Sequence, residues 1–316
     1  STACESNLVG LNISSAFNSA KVIYIIVPLL IIPQLLFSGV IVKFDKLHPS
    51  LSDATKVPWV GNMMVSRWAY EALAVEQSAN NKLEENYFVS KINHSSAQWK
   101  KDYWIPEVKS NLNRINTASD LNTQDVQSSI QTVRNEIERE DKFWSNLNCP
   151  NCLEDLDLLK NGKRIPLGNI EQFLDVIKLQ SINTINKEND RIQAFIDSIG
   201  SDKYKALKKQ YINESLSDLT TNRLEENKII LLNNKLYQND DPIYHDPKGT
   251  PFLETHFYAP YKYIFGKKYD TYTINLLAIW VISIITYIIL YFDLIRKLVE
   301  LFSVIGQRLK AKKGTT

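Results

Sequence analysis

The most reactive side chains that stand close together in the sequence are Cys149 and Cys152, in the run LNCPNCLEDL. A zinc site needs four ligands, and the third cysteine, Cys4, lies at the other end of the chain. A redox pair is expected between a strand and a helix, a context that this run does not offer. In an oxidising compartment we expect a local disulfide, and the alternative is a pair of free thiols in a turn.

Other residue patterns that could support catalysis lack essential members. His245 and Asp246 are adjacent, but no nucleophile motif accompanies them, and a turn before Pro247 is the simpler interpretation. The run Gly162-Lys163-Arg164 has no glycine five residues before it and no hydroxyl after the lysine, so it is not a phosphate-binding loop. We therefore predict no catalytic residue, no metal site and no cofactor in this chain.

The elements that position these residues are set by where the apolar residues lie. Hydrophobic residues make up 44% of the 316 residues and charged residues 23%, values typical of a soluble protein. However, residues 22–42 and 273–292 contain no charged residue. About 20 apolar helical residues cross the hydrocarbon layer of a membrane, so the sequence predicts transmembrane helices at 21–43 and 269–293.

The predicted fold is an all-α membrane protein, in which two transmembrane helices flank a mostly helical external domain at 78–268. Residues 1–20 would end an earlier transmembrane helix and form a cytoplasmic turn, and residues 44–77 would be a connector. The tail at 294–316 is rich in lysine and arginine, which favours the cytoplasmic side. We expect membrane lipids, and no nucleic acid, as partners.

The external domain shows helical periodicity. Apolar residues recur at threes, fours and sevens over 169–199, and a related pattern follows over 202–237. Gly200 separates the two segments at a position where helices commonly end. These patterns predict two long helices that form an antiparallel hairpin.

The first apolar run contains several residues that weaken a helix: Pro28, Pro33 and Gly39. It also carries the polar residues Gln34 and Ser38. Backbone groups freed by a proline must find partners in neighbouring helices when no water is present. We therefore expect a kinked helix inside a bundle. Two helices cannot form that bundle alone, so the chain either oligomerises or is a piece of a longer protein.

The segment 57–77 is amphipathic and aromatic. Trp59, Trp68 and Tyr70 suit the level of the lipid headgroups, and Arg67 and Glu71 are spaced to pair on a helix. The segment is interpreted either as the first helix of the external domain or as a short interfacial or re-entrant helix.

Four stretches carry a family resemblance: GLNISSAF (10–17), IIPQLLFSGVIVKFDKL (31–47), SRWAYEAL (66–73) and the region from HFYAPYKYIF to DLIRKL (256–298). They resemble the C-terminal part of the permease domain of G-subfamily-like ATP-binding cassette (ABC) exporters, in the long bacterial form found in Bacteroidetes. The resemblance covers 8–77 and 254–300, and it does not cover 78–253.

The resemblance implies an ATPase domain upstream of Ser1 that binds ATP and Mg²⁺, a homodimer formed through the permease, and a location in the bacterial inner membrane. Residues 78–268 would then be periplasmic. By the same resemblance, Ile32 and Leu35 face the cargo, and Val40 and Ile41 form an apolar plug after Phe-Ser-Gly. The family's plug is a leucine pair, whereas the plug in this chain is β-branched.

Two functions follow from these patterns. The first is part of an exporter permease that uses ATP hydrolysed by the upstream domain. The second is a two-span envelope sensor or scaffold, whose helical domain meets an envelope partner. The double proline and the family-like flanks favour the exporter.

Overall fold

The computed structural model describes the backbone of residues 1–17, 19–48, 55–143, 149 and 151–313. Residues 49–54 of the expected connector and residues 314–316 of the expected tail lie outside this description. The helices are α1 Thr2–Ala16, α2 Ala20–Leu36, α3 Trp59–Asn62, α4 Val65–Ala79, α5 Phe88–Trp99, α6 Ile105–Thr117, α7 Gln124–Phe143, α8 Cys152–Lys160, α9 Gly168–Ile199, α10 Ser201–Tyr211, α11 Glu214–Thr220, α12 Thr271–Tyr291 and α13 Leu294–Lys313. The strands are β1 Ile229–Leu232, β2 Lys235–Gln238, β3 Tyr261–Ile264 and β4 Lys267–Asp270.

The chain forms two compact units. The first comprises Ser1–Glu76, Pro247–Phe257 and Tyr261–Thr316, and the second comprises Gln77–Asp246 with Tyr258–Pro260. The second unit is thus inserted in the sequence between the two parts that contain the apolar runs. In the first unit, α1 packs along α12, and the β3–β4 hairpin leads directly into α12.

The prediction of an all-α protein with two membrane-spanning helices is wrong. In the described part of the chain, α12 alone is long and apolar enough to cross a membrane, judged by length and composition. Helix α2 is apolar but has 17 residues, a length of about 26 Å against the roughly 30 Å of the hydrocarbon layer. The structure also contains two antiparallel two-stranded sheets.

Helix α2 is shorter than expected because the chain turns directly after Leu36. The Ser38 hydroxyl donates to the Leu35 carbonyl at 2.7 Å and so partners one of the helix's last acceptors. Gly39 follows with φ of +80°, a conformation that L side chains rarely adopt. Gly39 therefore lies beyond the helix end, whereas Pro28 and Pro33 lie inside α2.

The second unit has a helical core. Helices α6, α7, α8 and α9 each contribute a buried stripe, and β2 adds Leu236. The stripe of α7 consists of Val126, Ile130, Val133 and Ile137, spaced by four, three and four residues. This spacing keeps the four side chains on one helix face, and the polar residues Thr132 and Glu136 of the same helix are buried as well.

The expected antiparallel hairpin of two long helices is also wrong. Helix α9 has 32 residues and ends before Gly200, but the second arm at 202–237 is divided into α10, α11 and the β1–β2 hairpin. The side chain of Asn213 caps α11 by accepting from the Leu216 amide at 3.1 Å. Asn213 is thus a start signal inside the expected arm, since asparagine is favoured as an N-cap.

Both sheets are hairpins with two-residue turns. Leu232 pairs with Lys235 across Asn233-Asn234, and Ile264 pairs with Lys267 across Phe265-Gly266. All four turn residues have positive φ, between 50° and 76°. Two consecutive positive φ values define the turn whose twist suits a hairpin, so these short sequences create the two sheets.

Candidate functional site

The first unit encloses a group of polar side chains that we call the buried charge cluster: Arg67, Glu71, Lys262 and Asn275. Helix α4 supplies Arg67 and Glu71, which are one turn apart and therefore lie on the same face. Lys262 is the only fully buried side chain of β3, and Asn275 belongs to the second turn of α12. The cluster thus joins one helix, one hairpin and the apolar helix α12.

Short contacts hold the cluster together. Lys262 Nζ lies 2.6 Å from Glu71 Oε2 and 2.7 Å from Asn275 Oδ1. Asn275 Nδ2 donates to the same Glu71 oxygen at 2.7 Å and to the Trp68 carbonyl at 3.1 Å. Arg67 Nη1 lies 3.4 Å from Glu71 Oε2. A single carboxylate oxygen is therefore the common partner of all three other side chains.

The cluster is almost completely removed from solvent. Arg67 is 2% exposed, and Glu71, Lys262 and Asn275 are 0% exposed. Aromatic rings supply part of the missing solvation, because a ring face attracts a cation. The Trp68 ring centroid lies 4.0 Å from Arg67 Cζ and 4.7 Å from Lys262 Nζ.

Two cationic side chains share one carboxylate in this cluster, and their pKa values reflect this excess of positive charge. Burial lowers the pKa of Lys262 to about 7, although Glu71 acts in the opposite direction, and Arg67 lowers the pKa further. Burial alone would raise the pKa of Glu71, but Arg67 and Lys262 hold it below its usual value. Glu71 is therefore the charge on which the cluster depends.

The cluster leaves some hydrogen-bonding capacity unused. Within the described residues, Arg67 Nε, Arg67 Nη1 and Glu71 Oε1 are buried without a hydrogen-bond partner. Such atoms are costly in a low-dielectric interior. Because its side chains are at most 2% exposed, the cluster suits a structural link between α4, β3 and α12.

A second polar contact connects α4 to α2. The Ser66 hydroxyl donates to the Gln34 carbonyl at 2.6 Å, and the Ser66 amide donates to Gln34 Oε1 at 3.2 Å. Gln34 lies in the last turn of α2, and Ser66 lies in the first turn of α4. The end of α2 is thereby fixed to the helix that carries the buried charge cluster.

A third set of polar contacts joins α1 to α12. Asn12 Nδ2 donates to the Thr286 carbonyl at 3.1 Å, and the Thr286 hydroxyl donates to Glu5 Oε1 at 2.9 Å. Glu5 and Asn12 are only 3% and 4% exposed. These contacts join α1 to α12 by buried polar groups as well as by packing.

The residues expected to line a cargo path lie in two places. Ile32 and Leu35 are on α2 and are 54% and 48% exposed, whereas Val40 and Ile41 follow the helix in the turn and are 43% and 63% exposed. Gly39 lies between these pairs. A Cβ at Gly39 would stand 2.7 Å from the Phe257 ring, so the turn packs tightly against that aromatic side chain.

The residues expected to form an interfacial helix are divided between two short elements. Trp59 starts α3 and is 69% exposed. Arg67, Trp68 and Glu71 are on α4 and are buried, and Tyr70, also on α4, stacks with Phe257 at 6.3 Å between ring centroids. Most of this set therefore faces the interior of the first unit.

Sequence reasoning found Arg67 and Glu71 but missed Lys262 and Asn275. The helical spacing of the first two is visible in the sequence. Asn275 is one of few polar residues in the second apolar run, a signal that could have been used. Lys262 lies in a run of tyrosines and lysines with no feature that distinguishes it, and only the tertiary fold brings it to Glu71.

The remaining expectations concern the cysteines and metals. The structure joins Cys149 to Cys152 as a disulfide with a Cα–Cα distance of 5.5 Å, and Cys4 is free and exposed. Among the described residues, no group of three or more histidine, cysteine, aspartate or glutamate side chains could hold a metal ion.

Comparison of the chain with protein-family models, curated proteins and solved structures finds no match. The resemblance to ABC exporters therefore stays a prediction from the quoted residues, and the function is argued from the site itself.

Proposed function

We propose that this chain is the C-terminal part of the permease of an ATP-driven ABC exporter, which works as a homodimer in the bacterial inner membrane. ATP and Mg²⁺ bind to an ATPase domain elsewhere in the protein, upstream of Ser1. The second unit belongs to the periplasmic side. The observation that carries the proposal is a continuous polar connection from α2 through α4 to α12.

Helix α2 supports the proposal because its side chains are exposed or only half-buried in the described part of the chain. The helix is apolar over nearly its whole length, and none of its residues is buried. A helix that is hydrophobic on all sides is normally covered by protein or lipid. A second copy of the chain and the surrounding lipid would together supply that cover.

The same helix has the features of a moving element. Pro28 and Pro33 lie inside α2, and each removes a backbone hydrogen bond and so creates a point of bending. The Gln34–Ser66 contact fixes the end of α2 to α4, and the buried charge cluster fixes α4 to α12. A bend in α2 would therefore move α4 and α12 with it, as alternating access requires.

The cargo path in this proposal runs along one face of α2. Ile32 and Leu35 are three residues apart and share a face, whereas Leu30 lies on the opposite face at a similar depth. All three side chains are exposed, at 54%, 48% and 44%. The chemistry of the proposed path is apolar, which suits lipid-like or amphipathic cargo.

The test uses the protein from its complete reading frame, reconstituted in lipid nanodiscs. A Cys4→Ser background carries Ile32→Cys or Leu35→Cys, with Leu30→Cys as the matched control. We expect Mg²⁺-dependent ATP hydrolysis and crosslinks between two copies at Ile32 and Leu35, with a yield that changes when ATP and vanadate are added. Leu30→Cys should crosslink several-fold less.

Two results would overturn the proposal. A folded protein without ATP hydrolysis would instead fit an envelope sensor or scaffold. Equal crosslinking at Leu30 and Ile32 would show that no particular face of α2 meets the second copy, and the proposed path would be lost.

A further inference from the structure

Helix α13 begins almost immediately after the apolar helix α12. Only Phe292 and Asp293 separate the two helices, and Asp293 has φ of +49°. A left-handed residue breaks the helical path and redirects the chain. Helix α13 is therefore a separate element that starts where α12 ends.

One face of α13 is apolar and exposed. Leu294, Leu298, Leu301 and Ile305 are spaced by four, three and four residues and are 40%, 52%, 54% and 43% exposed. Such spacing places them on one side of the helix. The adjacent Phe302 is 68% exposed, so the stripe is wide and carries an aromatic side chain.

The charge of α13 is strongly positive. Its sequence contains one acidic residue, Glu300, against six basic residues: Arg296, Lys297, Arg308, Lys310, Lys312 and Lys313. Arg296 is exposed and lies on the side of the helix opposite Leu298 and Leu301. Arg296 also pairs with Glu300 at 3.1 Å, and Lys297 is exposed as well.

The combination of an apolar stripe, a basic polar face and a position at the end of a membrane-crossing helix selects one partner. A second copy of α13 packed stripe to stripe would cover the apolar side chains, but it would offer the basic residues no opposite charge. A nucleic acid would leave the apolar stripe in water. A membrane rich in anionic lipid satisfies both features, because the stripe enters the boundary of headgroups and acyl chains while the basic residues meet phosphate groups.

We propose that α13 lies on the membrane surface and binds anionic lipid headgroups at the side where α12 ends. The inference rests on the proposed membrane insertion of α12. It adds a lipid-binding site that the cargo path does not include, and it predicts that lipid composition affects the position of the C-terminal helix.

The test places single cysteines in the Cys4→Ser background of the full-length protein in nanodiscs. The positions are Phe302→Cys on the apolar stripe, Arg296→Cys on the opposite, polar face as the matched control, and Ile284→Cys on the exposed surface of α12. Each cysteine carries an environment-sensitive fluorophore. Quenching is measured with nitroxide-labelled lipid and with aqueous iodide, with and without phosphatidylglycerol.

We expect the lipid quencher to act several-fold more strongly at Phe302 than at Arg296, and iodide to show the reverse order. Removal of phosphatidylglycerol, or the combined change Arg308→Gln, Lys310→Gln, Lys312→Gln and Lys313→Gln, should reduce the difference at least twofold. If iodide reaches Phe302 as readily as Arg296, the helix lies in water and the proposal is wrong. Shielding of Phe302 from both quenchers would identify a protein partner and also overturn it.

The Ile284 label separates this inference from the proposed function. Strong lipid quenching at Ile284 with none at Phe302 rejects the surface helix alone. Weak lipid quenching at Ile284 shows that α12 is not inserted, and it then removes the basis of both proposals.

Discussion

Replacement of Glu71 by glutamine should be far more damaging than removal of one of its cationic partners. Glu71→Gln keeps the shape of the side chain but removes the only negative charge of the buried charge cluster. Arg67 would then be buried with no counter-charge, and Lys262 would lose its proton because Glu71 no longer raises its pKa. Lys262→Met removes one cation instead and leaves Arg67 with Glu71 as a balanced pair.

The magnitude follows from the contacts. Removal of one partner from a buried ion pair costs about 3–5 kcal/mol, since the other charge stays buried. Glu71 lies 2.6 Å from Lys262 and 3.4 Å from Arg67, so Glu71→Gln should reach the upper part of that range. Lys262→Met loses two hydrogen bonds but relieves the repulsion from Arg67, and we expect a loss of about 1 kcal/mol.

The assay is reversible unfolding of the full-length protein in mixed micelles, with a probe on the first unit. The double variant Glu71→Gln with Lys262→Met completes a double-mutant cycle. The double variant should be at least as stable as Glu71→Gln alone, because the second substitution removes a buried amine that has lost its carboxylate partner. A loss below about 1 kcal/mol for Glu71→Gln, or equal losses for both single variants, would refute the charge imbalance described above.

Three further predictions concern single positions. Gly39→Ala should lower the free energy of unfolding by about 1–3 kcal/mol, because the φ of Gly39 is +80° and a Cβ would meet the Phe257 ring. An unchanged melting temperature would contradict this prediction. Burial and the neighbouring Asp241 raise the pKa of Asp240 to about 6, so its native carboxylate opposes folding as pH rises from about 4 to 6. Asp240→Asn should therefore raise the free energy of unfolding of the second unit by about 1 kcal/mol at pH 7. This value is reduced because the carboxyl group is partly exposed. The stabilisation should vanish below pH 4 in thermal unfolding curves. Glu136→Ala should lower the free energy of unfolding by about 2–4 kcal/mol, because Glu136 accepts hydrogen bonds from Trp104 at 2.6 Å and from the Leu236 amide at 2.9 Å. An exposed control, Glu171→Ala, should change stability little.

The helical parts of the fold were the most predictable from sequence. Apolar periodicity over 169–199 predicts the stripe of α9 because packing against a core requires one apolar face. The helical pairing of Arg67 and Glu71 is likewise local, and the two side chains lie 3.4 Å apart. Such features depend on residues three or four positions apart, which a sequence displays directly.

The features that were missed depend on turns and on tertiary contacts. The Asn233-Asn234 and Phe265-Gly266 turns are two residues long, and the flanking segments are too short to show strand alternation clearly. The early end of α2 depends on the Ser38 hydroxyl and on the conformation of Gly39. Composition alone predicts that the apolar residues after Leu36 continue the helix, because hydropathy does not detect a turn.

The buried charge cluster was only half visible for a related reason. Lys262 and Glu71 are separated by 191 residues in sequence yet lie in contact. A buried lysine is unusual, and nothing in the run YKYIF indicates burial. The second unit separates the two halves of the cluster in the sequence, so only the fold brings them together.

The most direct test of the central claim is the distance between the two copies of Leu35 in the intact protein. Spin labels at Leu35→Cys, in the Cys4→Ser background and in nanodiscs, are measured by pulsed electron resonance without nucleotide and with ATP, Mg²⁺ and vanadate. We expect a defined distance between the labels of the two copies, and this distance should shift when nucleotide is bound because α2 moves with α4 and α12. The absence of any intermolecular distance, or one distribution that nucleotide leaves unchanged, would contradict a role in ATP-driven export.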